Sequence, residues 1–216
     1  MSRSRVVPLL VVCAVALDGS ARAEEWARAK SDDGVEVWTR PAPGFGMKEF
    51  RAAMHVRTTL GSLVALMEDV PAYPRWFADC KEARVLKSQG VRDRHVYFLN
   101  GAPFPVRDRD MVTHFLVHQD PDTRVVIMRL RGEPELIAPT SGRVRVPRLE
   151  GAWTFTPLGD GIVQVEYQVL SDPGGSLPGW VANMTVADAP WKTLRAMRRM
   201  LDDMKYRIAH PEWIIE

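Results

Sequence analysis

The sequence predicts an α+β fold: an antiparallel sheet of roughly seven to nine strands with one long C-terminal helix closed over it. Three observations carry that expectation. Segments with the alternating apolar/polar period of half-buried strands fill most of the chain between residues 35 and 170. Turn signals separate them at short, regular intervals, including Gly159-Asp160-Gly161 between two alternating runs. From Trp180 to Ile208 the spacing becomes helical, through Met184, Ala187, Trp191, Leu194, Met197, Leu201 and Met204. A large sheet covered by one long apolar helix is a natural enclosure for an interior cavity.

In chain order, Met1–Arg5 is a short positive segment and Val6–Leu17 an apolar run, followed by Ala21-Arg22-Ala23. This is the pattern of a secretory signal cleaved near Ala23. A twelve-residue helix spans roughly 18 Å, short of a ~30 Å hydrocarbon core, so a permanent anchor is the weaker reading. The expected organisation is therefore a signal over residues 1–23, a single domain over 24–210 and a tail over 211–216. The protein is expected to be exported, periplasmic or secreted, and monomeric.

Glu24–Lys30 reads as a short helix. Val35, Val37 and Thr39 alternate with Glu36, Trp38 and Arg40, and Phe50, Ala52, Met54 and Val56 alternate with Arg51, Ala53, His55 and Arg57. Thr58 or Thr59 caps a helix through Asp69, with Leu63, Leu66, Met67 and Val70 at helical spacing, ended by Pro71 and Pro74. Strands follow at Glu82–Lys87, His95–Asn100, Arg109–His118, Arg124–Arg131, Arg143–Pro157 and Ile162–Leu170. Ser176 reads as a cap for the last helix, and Pro190 as a kink or break within it.

The chain carries 29 Lys and Arg against 27 Asp and Glu. Removing residues 1–23 takes away three Arg and one Asp and leaves 26 of each sign. Nucleic-acid binders hold a basic excess to displace phosphate counterions, so nucleic acid is an unexpected partner. Of the two cysteines only Cys80 follows the signal, which leaves no intramolecular disulfide and no multi-cysteine metal site. His114 and His118 have i, i+4 spacing, but on a strand they stand about 13 Å apart and cannot share an ion. No metal, cofactor, P-loop or dinucleotide loop is expected. Gly174-Gly175-Ser176-Leu177-Pro178 only approaches a nucleophile elbow, since Pro occupies its last position.

One side chain stands out. Arg109 shares parity with Met111, Thr113, Phe115 and Val117, the more apolar face, while Asp110 falls with Val112, His114, Leu116 and His118 on the wetter face. An inward Arg stays charged and must find acceptors: a carboxylate partner, or a ligand.

The segments Gly34–Arg40 (GVEVWTR), Tyr73–Trp76 (YPRW), Pro105–Asp110 (PVRDRD), Gly142–Arg145 (GRVR), Gly151–Trp153 (GAW) and Asp172–Trp180 (DPGGSLPGW, leading to Asn183) occur in this order. Together they resemble the START lipid-transfer domain of the helix-grip superfamily. The resemblance implies a curved antiparallel sheet gripping the C-terminal helix around a hydrophobic cavity for one sterol, phospholipid, fatty acid or similar lipid. It implies no catalysis; the alternative is a polyketide cyclase or aromatase using the same cavity. Arg109 matches the family's interior arginine, and Trp76, Tyr97, Met111, Phe115, Met128, Trp153, Tyr167 and Met184 are the other candidate ligand contacts. His95–Asn100 offers no clear inward acid to pair with Arg109. Transient membrane contact is expected through apolar loops such as Phe45 or Leu177–Trp180.

Overall fold

The computed structural model describes residues 25–216; the signal-like segment lies outside them. Ten strands form one sheet: β1 (Ala27–Asp32), β2 (Val35–Arg40), β3 (Glu49–Arg57), β4 (Cys80–Ser88), β5 (Asp93–Asn100), β6 (Arg109–Gln119), β7 (Val126–Gly132), β8 (Val144–Arg145), β9 (Arg148–Gly159) and β10 (Ile162–Asp172). The spatial order is β1-β2-β3-β10-β9-β7-β6-β5-β4, all antiparallel, with the short β8 added parallel to β6. Helix α1 (Leu60–Glu68) crosses from β3 toward β4 and continues into a 3-10 turn over Val70–Arg75. The long α2 (Gly179–Met200) and the short α3 (Met204–Arg207) close the chain.

The period-2 pattern sets which face is inside. Val35 and Val37 of β2, Ala52, Met54 and Val56 of β3, Val126, Met128 and Leu130 of β7 and Val163, Val165, Tyr167 and Val169 of β10 are all buried in one core. Burial of such side chains stabilises by about 1.5–3 kcal/mol each before conformational entropy is counted. Thr59 caps α1 as expected, accepting from the Ser62 amide at 3.0 Å.

Five local expectations are corrected. Ala27–Asp32 is an edge strand rather than a helix, because its backbone pairs with β2 and its flanks are stapled from outside. Trp26 lies against Arg40 and Arg51, and Lys30 sits over Trp191, so tertiary partners override the helical propensity of an Ala- and Lys-containing segment. The run expected as one strand over 143–157 is two, because Pro147 interrupts the ladder between β8 and β9. Pro178, not Ser176, takes the N-cap position of α2, with no side-chain cap bond. Pro190 leaves α2 unbroken; its ring is buried where it faces the sheet. Helix α2 stops at Met200, so the expected stripe is wrong at both ends: Trp180, Met204 and Ile208 are exposed, while Val181, Val186, Thr193, Leu194, Met197 and Met200 are buried.

The last six residues also belong to the domain. Ile214 is buried, and the Glu216 carboxylate accepts from the Leu60 and Gly61 amides at 2.9 and 2.8 Å, an anion at the start of α1. Among the described residues no helix is long and apolar enough to cross a membrane.

Candidate functional site

Two adjoining chambers of about 110 and 120 Å³ lie between the inner face of the sheet and α2. The first is lined by Asn100, Arg109 and Met111 from the sheet and by Leu177, Val181, Met184 and Ala189 from the loop before α2 and its first half. The second continues along β6 and is bounded by Phe77, Phe98, Thr113, Phe115, Trp153 and Tyr167. Asn100, Met111, Ser171, Thr185 and Ala189 border both. The aromatic wall is rigid: Trp153 stacks on Tyr167 at 3.9 Å, and Phe77 meets both edge-on. Burial raises the Tyr167 pKa, so its hydroxyl stays neutral.

The polar groups in this wall are incompletely satisfied. Arg109 is 8% exposed and makes no ion pair among the described residues; its Nη1 donates to the Arg107 carbonyl at 2.6 Å and its Nη2 to the Ser176 carbonyl at 3.4 Å. Burial, and then the nearby Arg107 guanidinium, lower its pKa. Its Nε is buried and finds no partner among the described residues, and the same holds for Asn100 Oδ1, Thr113 Oγ1 and Trp153 Nε1. Asn100 stands directly opposite Arg109 in the β5–β6 register, so two of these atoms belong to facing residues. Buried polar atoms are normally paired, and a cluster without protein partners beside a chamber is chemistry suited to a polar group on a ligand.

Of the sequence-predicted contacts, Arg109, Met111, Phe115, Trp153, Tyr167 and Met184 line the chambers. Trp76 and Met128 do not: they are buried behind the wall, Trp76 edge-on to Trp153 and Met128 opposite Trp153 in the β7–β9 ladder. Tyr97 is a correction of a different kind. It points to the outer face of β5, in a second apolar cluster with Leu99 and Val112, and its hydroxyl is bonded to Arg143 and to Asp110. Parity with Leu99 rather than with Phe98 and Asn100 carried that information.

The outer face is itself covered. Asp110, expected on the wetter side, is 0% exposed, held bidentately by Arg145 Nε and Nη2 at 3.1 and 3.0 Å. Arg145 also donates to the carbonyls of Pro134, Ile137 and Ala138, fastening the segment 133–145 across the sheet. Asn100 and Thr113 are not among the sequence-predicted contacts, although the parity of Asn100 with Phe98 and of Thr113 with Arg109 points both inward.

Two apolar side chains stand at the mouth. Phe104 is 95% exposed beside Pro103, and Trp180 is 56% exposed beside Val181, both neighbours lining the first chamber. Phe45, expected to do this, lies under Arg148 at 4.3 Å instead. The mouth loop is set by Gly174 and Gly175, both left-handed, and a Cβ on Gly174 would come 3.0 Å from the Arg145 carbonyl. Cys80 is a buried free thiol whose pKa burial pushes up to about 11, an inert group rather than a nucleophile.

Residues 63–198 match the family described as polyketide cyclase/dehydrase and lipid transport. An uncharacterized protein of Pseudomonas aeruginosa is 37% identical over 190 residues, covering 88% of this chain and 93% of its own. The crystal structure of a STAR-related lipid transfer protein from Xanthomonas axonopodis superposes with a TM-score of 0.75 at 33% identity, over 82% of this chain and 99% of that one. Human STARD10 shares the fold, with a TM-score of 0.71 at 19% identity over 83% and 74% of the two chains.

Proposed function

This chain belongs to the polyketide cyclase/dehydrase and lipid-transport family and has a START-type helix-grip fold, and from that premise we propose that it binds a single hydrophobic lipid between sheet and α2 and carries or senses it. The observation that carries the reading is the pairing of an aromatic and aliphatic chamber with the unpartnered Arg109 Nε, Asn100 Oδ1 and Thr113 Oγ1 along one wall. Each methylene buried there removes about 0.8 kcal/mol of exposure to water, and the polar atoms orient the end that bears a hydroxyl, carbonyl or carboxylate.

The two chambers are narrow, so a full-length lipid requires the first half of α2 to move outward. That half is the less buried one, although Lys30 on β1 reaches its Asp188 at 2.5 Å. Between Gly179 and Ala189 only Val181 and Val186 are fully buried, whereas the half from Pro190 to Met200 buries five residues. The second half is also tied to the β1–β2 turn by Trp191 Nε1 to the Asp32 carbonyl at 3.1 Å and Arg195 Nε to Asp33 at 2.6 Å. Phe104 and Trp180 then meet a bilayer as the helix lifts, an apolar contact that salt does not screen.

Residues 1–23 direct export with cleavage near Ala23, so the carrier works in an aqueous compartment outside the cytoplasm. N-terminal sequencing of the exported protein checks this; a start at Met1 refutes it. Native mass spectrometry of the purified protein, and of protein incubated with phosphatidylcholine or fatty-acid vesicles, tests the carrier. One retained lipid per chain is expected. A protein that retains no lipid but converts a poly-β-ketone substrate is instead the cyclase that the family description also names.

A further inference from the structure

A second cluster of chemistry-bearing side chains lies on the outer face of the sheet, away from the chambers. His95 on β5 and His114 on β6 are direct cross-strand partners, and their imidazoles stack in parallel, with centroids 4.4 Å apart and planes 3° from coplanar. His114 Nε2 is 2.9 Å from Asp93 Oδ1, and His95 Nε2 is 3.0 Å from Glu133 Oε2. The other Glu133 oxygen faces His114 Nδ1 at 3.8 Å. Donor atoms of Asp93, His95 and His114 all lie within 4.8 Å of one another. The i, i+4 pair His114 and His118 is indeed too far apart on its strand; the neighbour that matters comes from the adjacent strand, which sequence spacing does not reveal.

We propose that His95, His114, Asp93 and Glu133 bind one divalent transition-metal ion of the zinc type. A hydrogen-bond network alone leaves this arrangement unsatisfied. The Nε2 of each ring meets a carboxylate oxygen, and the second Glu133 oxygen stands 3.8 Å from His114 Nδ1, beyond hydrogen-bond reach. His95, 8% exposed, further has a buried Nδ1 with no partner among the described residues. A divalent ion accepts one lone pair from each ring and offsets the charge of the two carboxylates. Imidazole with carboxylate is a donor set that suits zinc and its neighbours. Zinc at about 2.0–2.1 Å from each donor needs donors roughly 3.3 Å apart. Side-chain rotation supplies the difference, and the part-exposed Asp93, His114 and Glu133 leave a path from solvent. Since Glu133 begins the segment that Arg145 fastens, the ion would pin that strap at its other end.

The test is titration calorimetry of the chelator-dialysed protein with zinc chloride alone, supported by the visible spectrum of the cobalt form. One equivalent is expected, with d–d absorption of a four-coordinate ion. Asp93→Asn and His114→Asn are each expected to weaken binding more than tenfold, the scale on which even outer-sphere partners act. His118→Asn, further along the same strand and exposed, is expected to bind as the parent does. Circular dichroism verifies folding; if His114→Asn unfolds, the part-exposed Asp93→Asn decides. Absence of saturable binding, or binding undiminished in a folded Asp93→Asn or His114→Asn protein, overturns the site. Lipid retention is read separately and does not bear on this outcome.

Discussion

Arg109 and Asp110 are adjacent in sequence and both buried, and they differ in almost everything else. Asp110 faces outward into a closed arrangement: two bonds from Arg145, a third from Tyr97, and no contact with solvent. Arg109 faces inward and has two carbonyl acceptors, one of them at 3.4 Å, and an Nε with no partner. The strand's pleat alone sends them to opposite faces. The difference teaches where each charge does its work. Saturated polar groups hold the 133–145 segment to the sheet, while unsaturated ones border a chamber that a ligand's polar end can complete.

Four measurements break or sharpen this contrast. Arg145→Met should have the largest effect on stability, since it strands a fully buried carboxylate; a loss of about 3–5 kcal/mol is expected, read as a fall in melting temperature on the order of 10 °C. A near-parental melt would show that the outer pair is not structural. Arg109→Met should lower the melting temperature far less, because no partner charge is stranded. Its effect should appear in a lipid titration as an about ten- to hundredfold weaker affinity, the value of a charge-assisted hydrogen bond of roughly 1.5–3 kcal/mol. If the two variants melt alike and Arg109→Met binds lipid normally, the contrast is gone.

Thr113→Val is a finer test. The hydroxyl is buried without a protein partner, so replacing it with a methyl should leave the unliganded fold unchanged or up to ~1 kcal/mol more stable. Lipid affinity should fall by several-fold only if that hydroxyl meets the ligand. The smallest expected effect concerns pH. The Gly174 amide and then Arg148 hold the Asp172 pKa below its ordinary value of 3.8. A depressed folded-state pKa stabilises above the unfolded value and loses that contribution as pH falls through the folded one. The mouth loop should therefore loosen only below about pH 3.8, and Asp172→Asn should remove that acid limb from a pH series of melting temperatures. An unchanged limb would assign it to other carboxylates.

Much of the site was legible because it obeys a local rule. The parity of Arg109, Met111 and Phe115 within one strand placed all three at the chamber, and Tyr167 and Trp153 followed from the same alternation. Tyr97 lies on the far face with Leu99, where residue type alone does not distinguish a buried Tyr from one in the wall. Trp76 and Met128 failed for another reason: parity says which face is inward but not how deep behind the wall a side chain lies.

By itself, the sequence determined the class of fold, the strand faces, the α1 cap and the inward direction of Arg109. All of these depend on chain neighbours a few residues apart, where backbone geometry fixes the outcome. Only the tertiary structure decided that Ala27–Asp32 is a strand and that Pro190 is carried within α2. It alone decided that Asp110 is buried under Arg145, that Arg109 meets backbone carbonyls, and that His95 meets His114 across two strands. Each of these turns on partners distant in the chain, whose free energy exceeds the few tenths of a kcal/mol by which local propensities differ.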